Sequence, residues 1–584
     1  MIVRGGLWFD GLGSAPLVRD VGILDGRVAA IEPTLTAGPD TRVVDASDAW
    51  VVPGFVDIPT HYDAELLVAP ELSESVRHGR TTVFVGNCSL STVLVSPLDA
   101  ADLFSRVEAS PRGAVLAALQ EGKTWTNPRE YVEAVDRLQL GPNVAAFLGH
   151  SDVRASVMGL GRSTDRSQQP TAGEMDRMTA HLIEALDAGF LDLSTMTNPW
   201  DKLDGDRYRS RSLPTTYARW KEYRALHRVL RRRGRVLQSI PNINTKYDIA
   251  LCLATSTGIG RAPLKTSLLA AADGKADPWL HRIFDPLARL ANGPGKGAFR
   301  WQHLPTPFTV YSDRIDLVVF EEFGAGRAAL HLSDELERNE LLRDEGYRRW
   351  FREDFEKRFS PRVWHRDFHD ALIIGCPDAA IVGLTITDVA EQRKVHVVDA
   401  FLDLVVEHGK KLRWRTTVAI HRPANLDALV QQPGIQIGFS DSGAHLPYMA
   451  FYNFGVRLLR RVHEVQVAGR AFLTVEAAAH KLTGELGEWF GLDAGRLRVG
   501  DRADLAVIDP AHLDATVDDY AEQEMPAFDG LRRMVNRNDA AVRATLVNGE
   551  VVWADGALVE GLGSTVGPGR FLRAGVTNSP RARV

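Results

Sequence analysis

The chain has 584 residues, of which 45% are hydrophobic and 25% charged, and its formal net charge is −6. This balance is typical of a globular protein, and it argues against nucleic acid or an anionic membrane as the main partner. Three cysteines, Cys88, Cys252 and Cys376, are too few for a disulfide framework and suit a reducing compartment. The sequence has neither an apolar run of about 18 residues, as a membrane span requires, nor a secretory signal pattern. It therefore predicts a cytoplasmic protein.

Short strand signals occupy both ends of the chain. Two apolar runs flank Asp25-Gly26 near the N-terminus, and two more flank Asn548-Gly549 near the C-terminus. Such dipeptides are characteristic of two-residue β-hairpin turns. Because this pattern is missing between the two ends, we expect residues 1–50 and 490–572 to form one composite β-sandwich domain.

The middle of the chain, residues 51–489, alternates apolar strand-like runs with helix-like segments such as 171–189. Near-continuous apolar strands followed by crossovers predict an α/β protein with a (β/α)8 TIM-like barrel. The segment 270–412 is too long for one crossover, and we expect it to be an insertion near the barrel mouth. The runs assigned to barrel strands are 51–58, 81–86, 143–149, 189–195, 234–240, 262–269, 413–420 and 435–440.

Ionisable side chains follow several of these predicted strands. His61 comes after the first, Cys88 after the second, His150 after the third, and Asp441 and His445 after the last. Because barrel enzymes carry their active sites at the carboxyl ends of the strands, we expect these side chains to meet there. Each of them alone is more often structural, as a buried cysteine, a hydrogen-bonded histidine or a turn-forming aspartate.

The types of side chain in this set indicate a metal-assisted hydrolysis. Imidazole, thiolate and carboxylate together suit a borderline-soft cation such as zinc, which activates bound water. A carboxylate beside that water can take its proton and pass it to a leaving amine, and Asp441 is placed for this role. Arg154 could bind a substrate carboxylate bidentately, with His150 and His445 as further substrate-binding candidates. The alternative for Arg154 is a surface position.

Six segments of the chain form a recognisable set: "VVPGFVDIPTHYDAE", "VGNCS", "GHSDVRASVMG", "GFSDSGAH", "GRLRVGDRADLAVIDP" and "VNGEVVW". Together they resemble the amidohydrolase superfamily, in the branch of the N-acyl-D-amino-acid deacylases (D-aminoacylases), from about residue 1 to 572. The resemblance implies a β-sandwich beside a metal-bearing barrel, and hydrolysis of an amide next to a carboxylate-bearing centre. On that pattern His61, Cys88 and Asp441 would be metal ligands, with Asp441 also the general base.

The chain departs from that family at three histidines. The family has His-x-His after the first strand, where this chain has Pro59-Thr60-His61, and its ligand histidines after strands five and six have no counterpart here. Two functions therefore compete. The first is a deacylase-like hydrolase that uses metal-activated water on a small-molecule, non-peptide or cyclic C–N amide. The second is a barrel with a degenerate metal site, acting as a metal-free enzyme or as a non-catalytic binding or scaffold protein. The sequence allows a homo-oligomer in either case.

Overall fold

The computed structural model describes residues 1–242, 245, 247–357, 360 and 362–575. Within these ranges, no helix has the combined length and apolar character that crossing a membrane requires. The strands, in chain order, are β1 (Ile2–Trp8), β2 (Leu17–Leu24), β3 (Arg27–Glu32), β4 (Val43–Asp45), β5 (Trp50–Pro53), β6 (Phe55–Asp57), β7 (Arg80–Val85), β8 (Asn143–Ala146), β9 (Leu148–Gly149), β10 (Leu193–Met196), β11 (Val236–Ile240), β12 (Lys265–Leu268), β13 (Ala298–His303), β14 (Phe308–Asp313), β15 (Leu372–Gly375), β16 (Arg413–Ala419), β17 (Ile435–Ile437), β18 (Leu505–Ile508), β19 (Ala521–Met525), β20 (Leu531–Val535), β21 (Val542–Val547), β22 (Glu550–Ala554) and β23 (Ala557–Leu558).

The helices begin and end at residues with the expected capping chemistry. Thr171 caps the longest of them with a capping box, in which its side chain and that of Glu174 each accept from the other's backbone N–H. Gly189 ends the same helix in the left-handed conformation, so the helix predicted over 171–189 is confirmed. The α-helices are α1 (Glu65–Val68), α2 (Ser73–Val76), α3 (Pro97–Phe104), α4 (Arg112–Gly122), α5 (Pro128–Arg137), α6 (His150–Met158), α7 (Leu160–Ser163), α8 (Ala172–Ala188), α9 (Gly205–Tyr208), α10 (Trp220–Arg233), α11 (Tyr247–Ser256), α12 (Phe284–Asn292), α13 (Gly324–His331), α14 (Glu335–Arg343), α15 (Glu345–Glu356), α16 (Ile386–Arg393), α17 (Val397–His408), α18 (Pro423–Val430), α19 (Phe454–Val467), α20 (Val475–Leu482) and α21 (Gly484–Phe490).

The two ends of the chain share one sheet. Over the described residues its strands run in the order β23-β22-β21-β18-β5-β1-β2-β3, with β4 beside β1. The ends meet where β18 pairs antiparallel with β5. Both predicted hairpins are present, β2 with β3 and β21 with β22. Asp25 and Asn548 have φ values of 50°, as the first position of a type I′ turn requires.

Parallel strands form the middle of the chain. In the part that the structure describes, they run in the orders β6-β7-β8 and β9-β10-β11-β12-β13-β17. Phe147 links the two sheets, because β8 and β9 flank it and its N–H donates to Val85 O at 2.9 Å. At the other edge, His61 N–H donates to Ser442 O at 2.7 Å, and Thr60 bridges to Ser442 in parallel. The carboxyl ends of β6 and β17 therefore lie side by side.

Apolar side chains fill the space between the parallel strands. Val56, Phe84 and Leu191 are fully buried there in one cluster with Phe147. Phe490 of α21 packs edge-to-face on Phe84, with ring centroids 5.1 Å apart. This packing fixes the strands from which the functional side chains project.

One predicted strand is wrong. Residues 413–420 do not lie between β12 and β17, because β16 pairs antiparallel with β14 and β15. The strand in that place is β13, which lies inside the predicted insertion 270–412. The cluster of proline and aromatic residues at 301–308 indicated an insertion, although the side chains of Trp301, Gln302 and His303 are buried. The half-buried and buried residues that alternate along β16 fit an antiparallel sheet with one covered face.

The segment between β13 and β17 has a hydrophobic core of its own. Trp364 and Trp414 are fully buried in it, and the rings of Phe320 and Phe401 stack with centroids 5.5 Å apart. The three-stranded sheet β14-β16-β15 and helices α13 to α17 contribute the side chains of this core. The true insertion is therefore a packed unit that begins after β13.

Candidate active site

Three strand ends bring His61, Cys88 and Asp441 together. His61 follows β6, Cys88 follows β7, and Asp441 follows β17. Cys88 Sγ lies 3.3 Å from His61 Nε2, and Asp441 Oδ1 lies 3.9 Å from the same nitrogen. Cys88 and Asp441 have φ values of 54° and 48°, so each lies on a left-handed turn that non-glycine residues seldom adopt. Cys88 and Asp441 therefore converge on one nitrogen of the His61 imidazole.

A fourth member of the site, Glu108, comes from the loop after α3 and was not predicted. Its Oε1 lies 3.0 Å from His61 Nδ1, and both side chains are only 3% exposed. Among the described residues, Glu108 Oε2 has no hydrogen-bond partner, while Oε1 faces His61 Nδ1. The sequence around it, "FSRVEAS", resembles an ordinary helix end and carries no catalytic motif. Only the folded chain puts this carboxylate on the far side of the imidazole.

Burial and neighbouring charges shift the pKa values of these groups. Burial disfavours the imidazolium, but the Glu108 carboxylate and Cys88 outweigh it and raise the pKa of His61 well above its ordinary value. Burial raises the pKa of Cys88 to about 12, against the opposing effect of His61. Burial also raises the pKa of Asp441 to about 7, with His61 opposing and Glu108 reinforcing the shift. Near neutral pH, Cys88 is therefore a thiol, and the carboxyl group of Asp441 is present in both its protonated and its ionised form.

A cavity of about 210 Å³ lies beside this cluster. Val107 and Ala109, the neighbours of Glu108, line it, as do Asp201 and His445. The charge of Asp201 contributes to raising the pKa values of both Cys88 and Asp441, which places the cavity wall next to the reactive groups. The inserted segment supplies Asp316, Leu317, Val318 and Glu321 to the same wall.

His150 and Arg154 do not line this cavity, which corrects the prediction that they contact a substrate. Both side chains are completely buried, and both pair with Glu222 of α10. His150 Nε2 lies 2.8 Å from Glu222 Oε1, and its Nδ1 lies 3.0 Å from Thr215 Oγ1. Glu222 is 72 and 68 residues away in sequence, so no local pattern reveals this network. The pair attaches α6 to α10.

The predicted zinc site does not fit the cluster as it is arranged. In the described ranges, no group of three or more His, Cys, Asp and Glu side chains has an arrangement that could hold a metal ion. Strands β11 and β12 also end without a histidine, so no second imidazole approaches Cys88 from them. No catalytic step is therefore derived through a metal.

Comparison with known proteins gives relatives at two levels of similarity. No family model matches the chain. The uncharacterized protein Rv2913c of Mycobacterium tuberculosis is 53% identical over 592 residues, covering 100% of this chain and 97% of that protein. An N-acyl-D-glutamate deacylase of Alcaligenes xylosoxydans xylosoxydans is 34% identical over 195 residues, covering 33% of this chain and 36% of that enzyme.

A solved D-aminoacylase, described as having a binuclear metal centre, has a TM-score of 0.61 with this chain. The two are 21% identical, and the match covers 98% of this chain and 99% of the D-aminoacylase. Identity at that level shows a common fold, while the partial match to the deacylase confirms the resemblance that the sequence motifs indicated. The chain thus belongs to one family with the mycobacterial protein, and it resembles the N-acyl-D-amino-acid deacylases of the amidohydrolase superfamily.

Proposed function

We propose that the protein hydrolyses the C–N amide bond of an N-acyl amino acid. The observation that carries this proposal is the meeting of His61, Cys88 and Asp441, from three strand ends, beside a cavity. The relatives with a named activity, a deacylase and an aminoacylase, support this substrate class. In this proposal the parallel strands form one (β/α)8 barrel within residues 51–489. Residues 1–50 and 490–572 form its flanking β domain.

A purely structural role for His61, Glu108 and Asp441 explains the site less well than a catalytic role does. Buried polar groups without hydrogen-bond partners cost free energy, because they lose water and gain nothing in return. Asp441 Oδ1 and Glu108 Oε2 are buried without such partners among the described residues. Two such carboxylate oxygens beside one imidazole favour a site that binds a reacting group over a scaffold.

Asp441 is the residue that we assign to the proton transfers. Amide hydrolysis needs a base for the attacking water and an acid for the leaving amine, and one carboxylate can serve in turn. A pKa of about 7 suits both roles near neutral pH. Among the residues that the structure describes, no donor forms a hydrogen bond with Asp441 Oδ1. His61 lies beside it, and its imidazolium form would stabilise the oxyanion that develops on the substrate.

Lys202 is the residue that we assign to the substrate carboxylate. Its ammonium donates to Pro199 O at 2.6 Å and to Ser212 Oγ at 2.9 Å, which uses two of its three protons. The three arginines that line the cavity already pair with carboxylates: Arg106 with Glu321, Arg209 with Asp204 and Arg338 with Asp316. In this proposal His445 contacts the acyl amide from the same wall.

Lys202→Met is expected to raise KM for N-acyl amino acids by roughly 10- to 100-fold, because a hydrogen bond to a charged group contributes about 1.5–3 kcal/mol. The value of kcat should change little, since the carboxylate keeps its charge throughout the reaction and is bound alike in the ground state and the transition state. Steady-state kinetics with an N-acyl amino acid and with its carboxamide analogue test this expectation. The carboxamide is the matched control, and an equal loss on both substrates would assign Lys202 a structural role.

The proposed activity is tested with a panel of N-acyl-D- and N-acyl-L-amino acids, each assayed with and without added zinc. The measured quantity is the free amino acid released. We expect release from one stereochemical series and no dependence on added zinc, because the described residues do not fit that ion. Saturable binding of the panel without any release would favour the non-catalytic alternative.

A further inference from the structure

We propose that Asp201 determines substrate specificity by binding a cationic side chain, so that the preferred N-acyl amino acid carries an ammonium or guanidinium group. This inference rests on the proposed amide hydrolysis and specifies which class of amino acid is released. Asp201 lines the cavity beside Lys202, which we assign to the substrate carboxylate. The two residues together would recognise a substrate that carries one negative and one positive charge.

Most of the charges that line the cavity are paired within its wall. Glu321, Asp204 and Asp316 each pair with one of the three arginines of the lining. Among the described residues of the lining, one carboxylate and one ammonium remain, those of Asp201 and Lys202, and they form no ion pair with each other. A substrate with a carboxylate alone would neutralise only Lys202. A substrate with a cation as well would neutralise both.

The Asp201 carboxylate has no compensating partner in the part of the chain that the structure describes. Its residue is half-buried in the cavity wall, so a ligand in the cavity can reach it. Burial raises its pKa to about 7, with Glu108 reinforcing and His61 opposing the shift. A carboxylate shielded from water is costly unless a cation or a donor compensates it. A cationic group of the substrate would supply that compensation and favour the ionised form.

The backbone around Asp201 is held by a short antiparallel pairing. Leu213 N–H donates to the backbone oxygen of Asp201 at 3.3 Å, and Leu203 N–H donates to Arg211 O at 2.8 Å. Leu203 is also fully buried in the hydrophobic cluster that contains Cys88. The position of Asp201 in the wall therefore does not depend on its own carboxylate, and replacing that carboxylate should leave the fold intact.

The rest of the cavity wall suits a long aliphatic side chain with a cationic end. The apolar residues that the inserted segment contributes are Leu317, Val318 and Leu330. They can cover methylene groups, while Trp200 and Tyr448 add aromatic rings, whose faces attract ammonium and guanidinium groups. Because the carboxylate and the side chain of an amino acid share one carbon atom, they can reach the neighbouring residues Lys202 and Asp201 together.

The test compares both enantiomers of Nα-acetyl-lysine with those of Nα-acetyl-norleucine, which has the same four-carbon side chain without the ammonium. For the wild-type protein we expect kcat/KM to be higher for the lysine compound by roughly 10- to 100-fold, the range for a hydrogen bond to a charged group. Nα-acetyl-glutamate would bring a second carboxylate to Asp201 and should be the poorest of the three. Asp201→Asn should remove most of the preference by lowering the lysine value, while the norleucine value stays nearly unchanged.

Asp206→Asn is the matched control, because Asp206 is exposed on α9, lies outside the cavity lining and should leave the preference unchanged. If no N-acyl amino acid is cleaved, the proposed function fails, but calorimetric titration of the same compounds still measures the preference as a ratio of dissociation constants. The wild-type comparison needs no variant to fold. Equal values for the lysine and norleucine compounds, no binding of either, or a preference that survives Asp201→Asn would overturn the inference.

Discussion

Asp441→Asn is expected to lower kcat for amide hydrolysis by about 10²–10⁴-fold, the usual cost of removing a general base. Asparagine has the same shape and still accepts hydrogen bonds, but it cannot take a proton from water. The turn itself does not depend on the carboxylate, because Ala444 N–H donates to the backbone oxygen of Asp441 at 2.9 Å. The fold should therefore survive the change.

Steady-state rates on the best substrate of the panel, with thermal melting as the check on folding, measure this effect. Asp187→Asn is the matched control, because Asp187 lies on α8, is exposed, and only pairs with Arg233. The assignment of Asp441 fails if a normally folded variant keeps more than about a tenth of the wild-type rate, since a true base contributes at least roughly 10²-fold.

Arg80→Met is expected to lower the free energy of unfolding by about 3–5 kcal/mol, because it leaves a buried carboxylate without its partner. Arg80 and Asp57 pair with side-chain exposures of 1% and 0%. Arg80 also donates to Ser442 Oγ and to Phe451 O, both at 2.6 Å. It therefore joins β7, β6 and the segment after β17 that carries Asp441.

Urea denaturation measures this loss, and the double variant Asp57→Asn/Arg80→Met is its control. Neutralising the abandoned carboxylate should recover part of the stability, because burial already raises the pKa of Asp57 and disfavours its charge. A loss below about 1 kcal/mol, as for an exposed ion pair, would show that the pair does not hold the strands together.

The sequence contained the signals for the His61, Cys88 and Asp441 strand ends, since each residue directly follows an apolar run that became a parallel strand. Glu108 gave no such signal, because it reaches His61 from a loop after a helix and its role depends on tertiary contact alone. Strand β13 was missed because the proline and aromatic residues at 301–308 indicated an irregular insertion. The structure instead buries Trp301, Gln302 and His303 in the parallel sheet.

For His150 and Arg154 the sequence contained a signal that the structure does not support. Both follow a strand end and have the chemistry of substrate-binding residues, yet both form ion pairs with Glu222 from a distant helix. A strand-end position therefore predicted proximity to the site, but not which side chains face the cavity. Distinguishing the two required the burial of each polar atom and the identity of its partner.

The most direct test of the central claim is the release of amine from an N-acyl amino acid by the wild-type protein, measured beside Asp441→Asn. The account predicts turnover by the wild type in the ordinary enzymatic range, about 1–10³ s⁻¹, and a rate lower by about 10²–10⁴-fold in Asp441→Asn. No release from any member of the panel by the wild type, or equal release by the two proteins, would contradict it.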